Sequence, residues 1–397
     1  MNNRAPSLDQ LDRGLLAKAL AIQTWLIGEA RSLTDPDDVV EGFAQRVTDA
    51  GVPLDRFTSV IPTLYAARRG LGRHWIRGEG TKLLEFGWGN EAVYQSSPFA
   101  VAHRTRDWVT FRLDEVDDAA FGIVEELRAG GYSHYICAPV FFRDGGEGGL
   151  TFATRRPEGF GPSDLALLRA VEAAAAATLD VNRVWILLNE TLRMYIGEEP
   201  KNRVLSGQVR RGDVVPMRAA IVFADMRGFT ALSAAMTAAQ TVELLNRYFD
   251  CVVPPVEEAG GEVLKYIGDG VLAIYGAGED ETAACAKALG AAQAIVERVA
   301  AHRAEAPADQ RFDIKIALHF GEVAYGNIGS GARLDYTVVG SGVNLASRLA
   351  DLAGNLGPRI LVSADFARLL PDHAFHDRGE HALRGVAEPQ TVFEPGA

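Results

Sequence analysis

The chain has 397 residues, enough for about two or three domains at the usual 100–200 residues each. Hydrophobic residues make up 48% and charged residues 23%, which excludes a largely disordered or fibrous chain. Forty Lys and Arg against 52 Asp and Glu leave a net charge of −12, the wrong sign for a protein whose main partner is nucleic acid or an anionic membrane surface. We expect a protein that folds in water and does not bind nucleic acid.

The cysteines and the N-terminal residues indicate the cellular compartment of the protein. Cys137, Cys251 and Cys285 are odd in number and far apart, which fits neither a disulfide framework nor the CxxC spacing of a zinc site. The first residues lack an apolar segment followed by small residues, and charges interrupt the later alanine-rich run well short of the ~20 apolar residues of a membrane span. The sequence therefore predicts a cytoplasmic protein without an export signal or a membrane span.

The N-terminal part divides into a helix and a mixed domain. Residues 1–31 predict one amphipathic helix, because apolar residues recur about once per turn at Leu11, Leu15, Leu16, Ala19, Ile22 and Leu26. Residues 32–162 predict an α+β sensor-like domain, in which glycine-rich turns separate short β-rich runs and one acidic helix at about 114–129. The β-rich runs are 57–66, 81–88, 107–113, 133–142 and 148–156.

Residues 163–217 predict a long signalling helix followed by a polar connector. Apolar residues are spaced alternately by four and three, which is the seam spacing of a coiled coil and predicts dimerisation. The alternative is a helix that packs on its own domain, because the small alanine side chains of this segment would pack weakly in a coiled coil. Pro200 is expected to end the helix. The seam positions are Leu167, Val171, Ala174, Thr178, Val181, Trp185, Leu188, Leu192 and Tyr195.

Residues 218–397 alternate strands and helices regularly. Strand 219–225, a helix at about 229–258, two strands around the Gly268-Asp269-Gly270 turn, a helix at about 280–304 and two strands within 312–329 follow one another. The central β-α-β-β-α-β order is typical of a ferredoxin-like sheet with helices on one face. The fold class is therefore α+β throughout, with a long helix connecting the two domains.

Two acidic residues mark strand ends in this second domain. Asp225 ends a buried strand just before a helix N-terminus, where Gly228 allows a ligand to approach closely, an arrangement suited to a phosphate with its metal. Asp269 lies in a tight turn, and Gly-Asp-Gly alone is more often simple hairpin chemistry. Together, the two carboxylates could hold hard divalent cations through oxygen atoms.

Three further polar residues lie in apolar surroundings. Lys265 lies on the strand before the Asp269 turn. The simpler interpretation is a lysine without a functional role whose ammonium reaches solvent. Asn344 and Arg348 are four residues apart and share one helical face. That face is either solvated or aimed into a cleft, and the apolar neighbours of both residues favour the cleft.

Three segments in register carry a resemblance to a known family. FADMRGFTALS, GGEVLKYIGDGVLAIYG and LDYTVVGSGVNLASRL resemble the catalytic domain of the class III adenylate and guanylate cyclases over roughly residues 215 to 395. The resemblance implies that Asp225 and Asp269 hold two Mg²⁺ or Mn²⁺ ions, with the backbone carbonyl of Met226 as a further ligand. It also implies two composite sites in a homodimer, because in this family the metal pair and the nucleotide-reading residues come from different subunits.

The same resemblance assigns the nucleotide contacts. Asn344 would orient the ribose and Arg348 would meet charge at the reacting phosphate. Substrate would also contact the segment after the first metal ligand, at Phe229 and Thr230. The triphosphate-binding lysine of the family falls on Arg384, which keeps the charge but changes the geometry.

Base choice in the family is carried by two positions, here Lys265 and Thr337. A lysine donor and a threonine hydroxyl acceptor match the ring nitrogen and amino group of adenine, whereas guanine inverts both, so ATP is the expected substrate. Thr337 resembles subclass IIIb, whose members include bicarbonate-responsive enzymes.

The N-terminal domain is similar to GAF domains in QSSPF, in YSHYICAPVFF and in the run from 148 to 180 that leads into the long helix. A PAS-like sensor is the alternative. The resemblance implies a small-molecule effector whose identity the residues do not reveal. Cys137 could attach a chromophore, but its apolar strand favours a buried structural role.

Adenylate cyclase activity regulated by this sensor is thus the leading hypothesis. Guanylate cyclase activity is the second. A catalytically silent nucleotide-binding relative that acts through partners is the third, and the joint presence of the metal-binding and nucleotide-reading residues argues against it.

Overall fold

A computed structural model describes residues 12–64, 68–89, 91–307, 310–331 and 333–396. The chain divides into two compact units, Met1–Thr191 and Leu192–Ala397, each with its own sheet and hydrophobic cores. Within the described ranges, no helix combines the length and the apolar character needed to cross a membrane. The three cysteines all carry free thiols, and burial raises the pKa of the Cys137 thiol.

The N-terminal unit contains a six-stranded antiparallel sheet in the order β3-β2-β1-β6-β5-β4. The sequence correctly predicts five of these strands but misses β2, whose two glycines and central Arg73 and His74 give little apolar alternation. The strands are β1 Arg56–Pro62, β2 Gly70–Ile76, β3 Gly80–Phe86, β4 Val109–Arg112, β5 His134–Phe141 and β6 Glu147–Thr154.

Helices cover both faces of this sheet. Side chains of α1, α2 and the first half of α6 form one core with β1 and β6, and a smaller core lies around α4 and α5. The predicted acidic helix at 114–129 is wrong in extent, since only its last turns are helical. Leu11 lies outside the described residues. The helices are α1 Arg13–Ile27, α2 Pro36–Asp49, α3 Glu91–Gln95, α4 Pro98–Thr105, α5 Val124–Ala129 and α6 Pro162–Ile196.

The seam positions of α6 separate into two environments. Leu167, Val171 and Thr178 are buried within the N-terminal unit, and the Thr178 hydroxyl donates to the Leu26 carbonyl at 3.0 Å. The alternative of packing on its own domain therefore holds for this half. Beyond it, apolar side chains are exposed, with Val181 at 51%, Trp185 at 54%, Leu188 at 40% and Tyr195 at 78%.

The prediction that Pro200 ends the helix is wrong. The helix α6 ends at Ile196, because Gly197 adopts a left-handed φ of 90° that a residue with a side chain disfavours. A further helix, α7 Glu198–Leu205, then takes Pro200 into its first turn, where proline is tolerated. The predicted connector is accordingly part helix.

The second unit contains an eight-stranded sheet in the order β13-β14-β12-β10-β7-β9-β8, with β11 paired to β10. Its centre, β10-β7-β9-β8, has the order and antiparallel pairing of the predicted ferredoxin-like motif. The elements are β7 Val214–Met226, α8 Phe229–Ser233, α9 Ala238–Glu258, β8 Glu262–Ile267, β9 Gly270–Gly276, α10 Glu281–Glu305, β10 Ile314–Ser330, β11 Arg333–Val339, α11 Ser341–Leu356, β12 Ile360–Ser363, α12 Ala364–Ala367, β13 Phe375–His381 and β14 Gln390–Pro395.

Three details differ from the expectation. The two strands expected within 312–329 are one strand of 17 residues, β10. The helix expected at 229–258 is two helices, because Thr237 and Gln240 form a capping box that starts α9 afresh. Helices also lie on both faces of the sheet rather than on one, since α9 and α10 share one core and α11 packs in others.

The central strand β7 is buried on both sides. Ala220, Val222, Ala224 and Met226 contribute to the core shared with α9 and α10. The alternate residues Ala219 and Ile221 belong to the core on the α11 side, as alternation along a strand requires. Gly342 of α11 permits this packing, because a Cβ there would lie 3.1 Å from the Ile221 side chain.

Arg227 ties the end of β7 to the end of α11. Its guanidinium donates to the carbonyls of Ile314 at 3.0 Å, Ala353 at 3.1 Å and Gly357 at 3.1 Å. The last carbonyls of a helix lack partners within the helix and favour a cation, so this contact caps α11. It also fixes the loop after Asp225.

We expect Arg227→Met to lower the free energy of unfolding of the second unit by about 2 to 4 kcal/mol, since charged hydrogen bonds contribute ~1.5–3 kcal/mol each and are not additive. Urea denaturation followed by circular dichroism measures this. Arg368→Met is the control, because Arg368 is 74% exposed and its guanidinium contacts only Asp365 and the Ala364 carbonyl, both in its own turn, among the described residues. Equal stability of the two variants would contradict the capping role.

Candidate active site

Two carboxylates meet at one end of the central sheet. Asp225 is the penultimate residue of β7, and Asp269 lies in the two-residue turn between β8 and β9, directly beside it. The two carboxyl groups are neighbours, and the Met226 amide donates to Asp225 at 3.1 Å. Burial, followed by the proximity and the charge of Asp225, raises the pKa of Asp269 to about 6. The pair therefore favours a bound cation, which lowers the repulsion between the two carboxylates.

Lys315 is a third member of this site that sequence reasoning missed. Its ammonium lies 2.9 Å from an Asp225 carboxylate oxygen, and the two side chains are only 16% and 20% exposed. Lys315 faces Asp225 because β10 and β7 are antiparallel with these residues opposite one another. A lysine between two isoleucines at the start of a strand was the available signal. A divalent cation must compete with this ammonium for Asp225.

Glycines shape both loops that carry the carboxylates. Gly228 has a φ of 70° and Gly268 a φ of 66°, both in the left-handed region. Gly228 starts the short helix α8, whose Phe229 is half-buried and whose Thr230 is exposed. The predicted substrate residues Phe229 and Thr230 thus lie next to the carboxylates in sequence.

The donor set fits a hard divalent cation completed by its substrate. The described residues contain no cluster of three or more His, Cys, Asp or Glu side chains that could hold a metal alone. Mg²⁺, however, is commonly held by one or two carboxylates, with water and substrate phosphates supplying the remaining oxygens. Asp225, Asp269 and the Met226 carbonyl match that pattern.

A second group of predicted residues lies at β8 and β11. The Lys265 ammonium lies 2.5 Å from a carboxylate oxygen of Asp335, which links the two strands. Thr337, two residues further along β11, is 5% exposed, and its hydroxyl has no hydrogen-bond partner among the described residues. A buried hydroxyl without a partner is costly, so Thr337 is prepared to bond a ligand. Sequence reasoning missed Asp335, which orients Lys265.

The remaining predicted residues are exposed. Asn344 and Arg348 lie one turn apart on the outer face of α11, and Arg348 is 3.5 Å from Asp351. The two residues share one helical face as predicted, but in the single chain this face is exposed and is not aimed into a cleft. Arg384 lies in the loop between β13 and β14 and is also exposed.

No direct bond joins these two groups of residues within one chain. Among the described residues, no hydrogen bond or ion pair links the carboxylate pair to Lys265, Thr337, Asn344 or Arg348. The first group is acidic, and the second carries hydrogen-bond donors and acceptors.

Comparison with known proteins identifies the second unit. The sequence profile of the adenylate and guanylate cyclase catalytic domain matches residues 216–394. Residues 216–394 are a class III nucleotide cyclase domain. This confirms the resemblance of the three motifs.

Individual relatives agree with this assignment. An uncharacterized protein of Mycobacterium tuberculosis is 38% identical over 180 residues, which is 45% of this chain and 31% of that protein. The adenylate cyclase of Anabaena cylindrica is 34% identical over 156 residues, 38% of this chain and 31% of that enzyme. The match thus spans about a third of the length of these curated relatives.

Solved cyclase structures are also similar. The adenylyl cyclase CyaB from P. aeruginosa is 27% identical, with 47% of this chain and 96% of that chain covered and a TM-score of 0.42. The guanylyl cyclase Cya2 is 26% identical, with 46% and 93% covered and a TM-score of 0.41. Both kinds of nucleotide cyclase are therefore represented among similar structures.

Proposed function

We propose that this chain is an adenylate cyclase that converts ATP to 3′,5′-cyclic AMP and pyrophosphate at two sites of a homodimer. The observation that carries the proposal is the separation of the site into two groups within one cyclase domain. The carboxylate pair lies at the end of β7, and the nucleotide-reading residues lie on β8, β11 and α11. A second copy related by a twofold axis brings the carboxylate pair of each chain to the nucleotide-reading residues of the other chain, which forms two sites.

The base-reading pair favours adenine. Lys265, held by Asp335, is a donor, and Thr337 offers a buried hydroxyl that can accept from the amino group of adenine. Guanine presents a carbonyl oxygen where adenine has that amino group and a ring N–H where adenine has an acceptor. Buried groups left unpaired against the wrong base cost enough to select between substrates.

The reaction forms a bond between the ribose 3′-oxygen and the α-phosphorus while the bond to pyrophosphate breaks and the hydroxyl loses its proton. Asn344 orients the ribose for in-line attack, and Arg348 stabilises the charge that develops on the α-phosphate. Arg384 binds the β- and γ-phosphates, which leave as pyrophosphate. Two Mg²⁺ or Mn²⁺ ions held by Asp225, Asp269 and the Met226 carbonyl would raise the acidity of the hydroxyl and neutralise the leaving group.

The exposed half of α6 supports the same dimer. Val181, Trp185 and Leu188 leave apolar side chains in solvent at near-heptad spacing, which a parallel copy of the helix would cover. The N-terminal unit regulates the domain through this helix and takes a small-molecule effector. Its GAF-like character stays a prediction.

Complementation tests the composite site. Asp225→Ala and Asn344→Ala should each lose at least about a hundredfold in kcat as homodimers, because each removes an essential group from both sites. Co-expressed with different tags, they should form mixed dimers with one intact site. After random assortment, activity should recover to roughly a quarter of that of the wild-type protein. The measurement is cyclic AMP production with Mn²⁺.

The control is Asp225→Ala mixed with Asp225→Ala/Asn344→Ala, which leaves no intact site in any dimer. Mixed dimers isolated through both tags that stay as inactive as this control would refute the composite site.

Substrate choice is tested with both nucleotides at equal concentrations and with Mn²⁺. We expect kcat/KM for ATP to exceed that for GTP by at least about a hundredfold, in line with the cost of unpaired buried groups. Replacing Lys265 with Glu and Thr337 with Cys together should narrow this ratio, because the donor at the first position becomes an acceptor. A wild-type preference for GTP would make the guanylate cyclase alternative correct. No turnover of either nucleotide would favour the silent relative.

A further inference from the structure

An open cavity of about 420 Å³ lies in the N-terminal unit, between the sheet and the segment of α3 and α4. Its walls are mainly aliphatic and aromatic, with Val60, Ile61, Phe86 and Phe99 among the lining residues. A volume of this size suits a small organic molecule.

The charged groups at this cavity are already paired. Arg69 lies 2.6 Å from Glu91 and stacks over the Tyr94 ring at 5.5 Å. The ring of His103 is bonded on both sides, with Nε2 donating to the Gly148 carbonyl at 2.7 Å and Nδ1 lying 3.0 Å from the Tyr94 hydroxyl. The remaining carboxylate of the lining, Glu147, is 47% exposed and lies 3.4 Å from the Tyr94 hydroxyl and 3.6 Å from His103 Nδ1. Since each ionisable group of the described lining already contacts a polar partner, the cavity favours an uncharged and largely apolar ligand.

The rim of the cavity is bonded to the long helix α6. Arg183 of α6 is 3% exposed, and its guanidinium donates to both carboxylate oxygens of Asp144, at 3.1 and 2.7 Å. It also donates to the Pro62 carbonyl at 3.1 Å. Pro62 and the next residues of the Asp144 turn, Gly145 and Gly146, all line the cavity.

Packing around this arginine is close. A Cβ on Gly146 would lie 3.1 Å from Arg183 Nη2, and the guanidinium lies 4.5 Å from the centre of the Phe142 ring. A bidentate pair of this kind fixes direction as well as distance. A shift of the turn between β5 and β6 therefore changes the bonding of Arg183, whose own helix continues to Ile196.

We propose that the cavity binds an uncharged, largely apolar effector and that Arg183 transmits its presence from the Asp144 turn to α6. Because the readout of this coupling is cyclase activity, the inference rests on the proposed function. Arg183 acts here as a positioning residue, since it contacts neither the cyclase substrate nor the reacting atoms.

The experiment uses the full chain and a side chain that mimics an occupied cavity. Val60→Trp fills part of the cavity, and Lys82→Trp adds the same bulk at an exposed position of β3 outside it. Val60→Trp should change cyclic AMP production by about fivefold or more, the lower end of usual coupling between sites, and Lys82→Trp should change it little. The same comparison is then made in Arg183→Met.

In Arg183→Met, filling the cavity should change the rate by less than about twofold. Asp144→Asn tests the same link from a side chain that is 47% exposed and therefore tolerant of change, and Arg143→Met, an exposed neighbour in the same turn, is the matched control that should keep the full response. A response that persists undiminished in Arg183→Met and Asp144→Asn would overturn the coupling. So would an unchanged rate in Val60→Trp.

Two readouts do not depend on cyclase activity. The uncharged fluorophore N-phenyl-1-naphthylamine should bind the wild-type chain and bind at least about tenfold more weakly to Val60→Trp, and no binding to the wild type would overturn the ligand chemistry. Hydrogen exchange over 181–196 should differ between wild type and Val60→Trp, and this difference should vanish with Arg183→Met. If no variant makes cyclic nucleotide while these two results hold, the proposed function fails and the coupling stands.

Discussion

Mutual repulsion between two neighbouring carboxylates, one at the end of the buried strand β7 and one in the turn between β8 and β9, governs the candidate active site. Burial, together with the neighbouring Asp225, raises the pKa of Asp269 to about 6. The fold balances part of the charge with the Lys315 ammonium on the facing strand. The negative charge that remains favours divalent cations that are also bound to a phosphate ligand.

The cyclase domain holds its two groups of site residues rigidly and apart. Ridges of apolar side chains on both faces of β7 fix the carboxylates, and Arg227 joins their loop to the end of α11. The Lys265 and Asp335 ion pair joins β8 to β11. Each group is thus preorganised within one chain. In the proposed homodimer, completion of a site depends on how two copies meet, which would give the N-terminal unit a physical means of control.

Much of this was predictable because the determining signals are local. Asp225 lies at a strand end and Asp269 in a turn, and the glycines and helix start that mark these positions are contiguous with them in sequence, while the βαββαβ order follows from periodicity. Lys315 and Asp335 were missed because their partners are 90 and 70 residues away, and only strand register or tertiary contact brings them together. The position of α11 on the opposite face of the sheet from α9 and α10 was missed for the same reason, because tertiary contacts rather than local sequence determine which face a helix covers. In α6, heptad spacing alone could not separate the buried half from the exposed half, since the same apolar spacing suits an intramolecular core and a coiled coil.

The central claim is that one nucleotide contacts residues of two chains. A crystal structure of the full chain with Mn²⁺ and the non-reactive analogue α,β-methylene ATP tests it most directly. The account predicts anomalous density for manganese beside Asp225 and Asp269 of one copy, with the adenine of the same analogue at Lys265 and Thr337 of the other. An analogue bound entirely within one chain, or adenine placed away from Thr337 in a dimer with manganese bound, would contradict it.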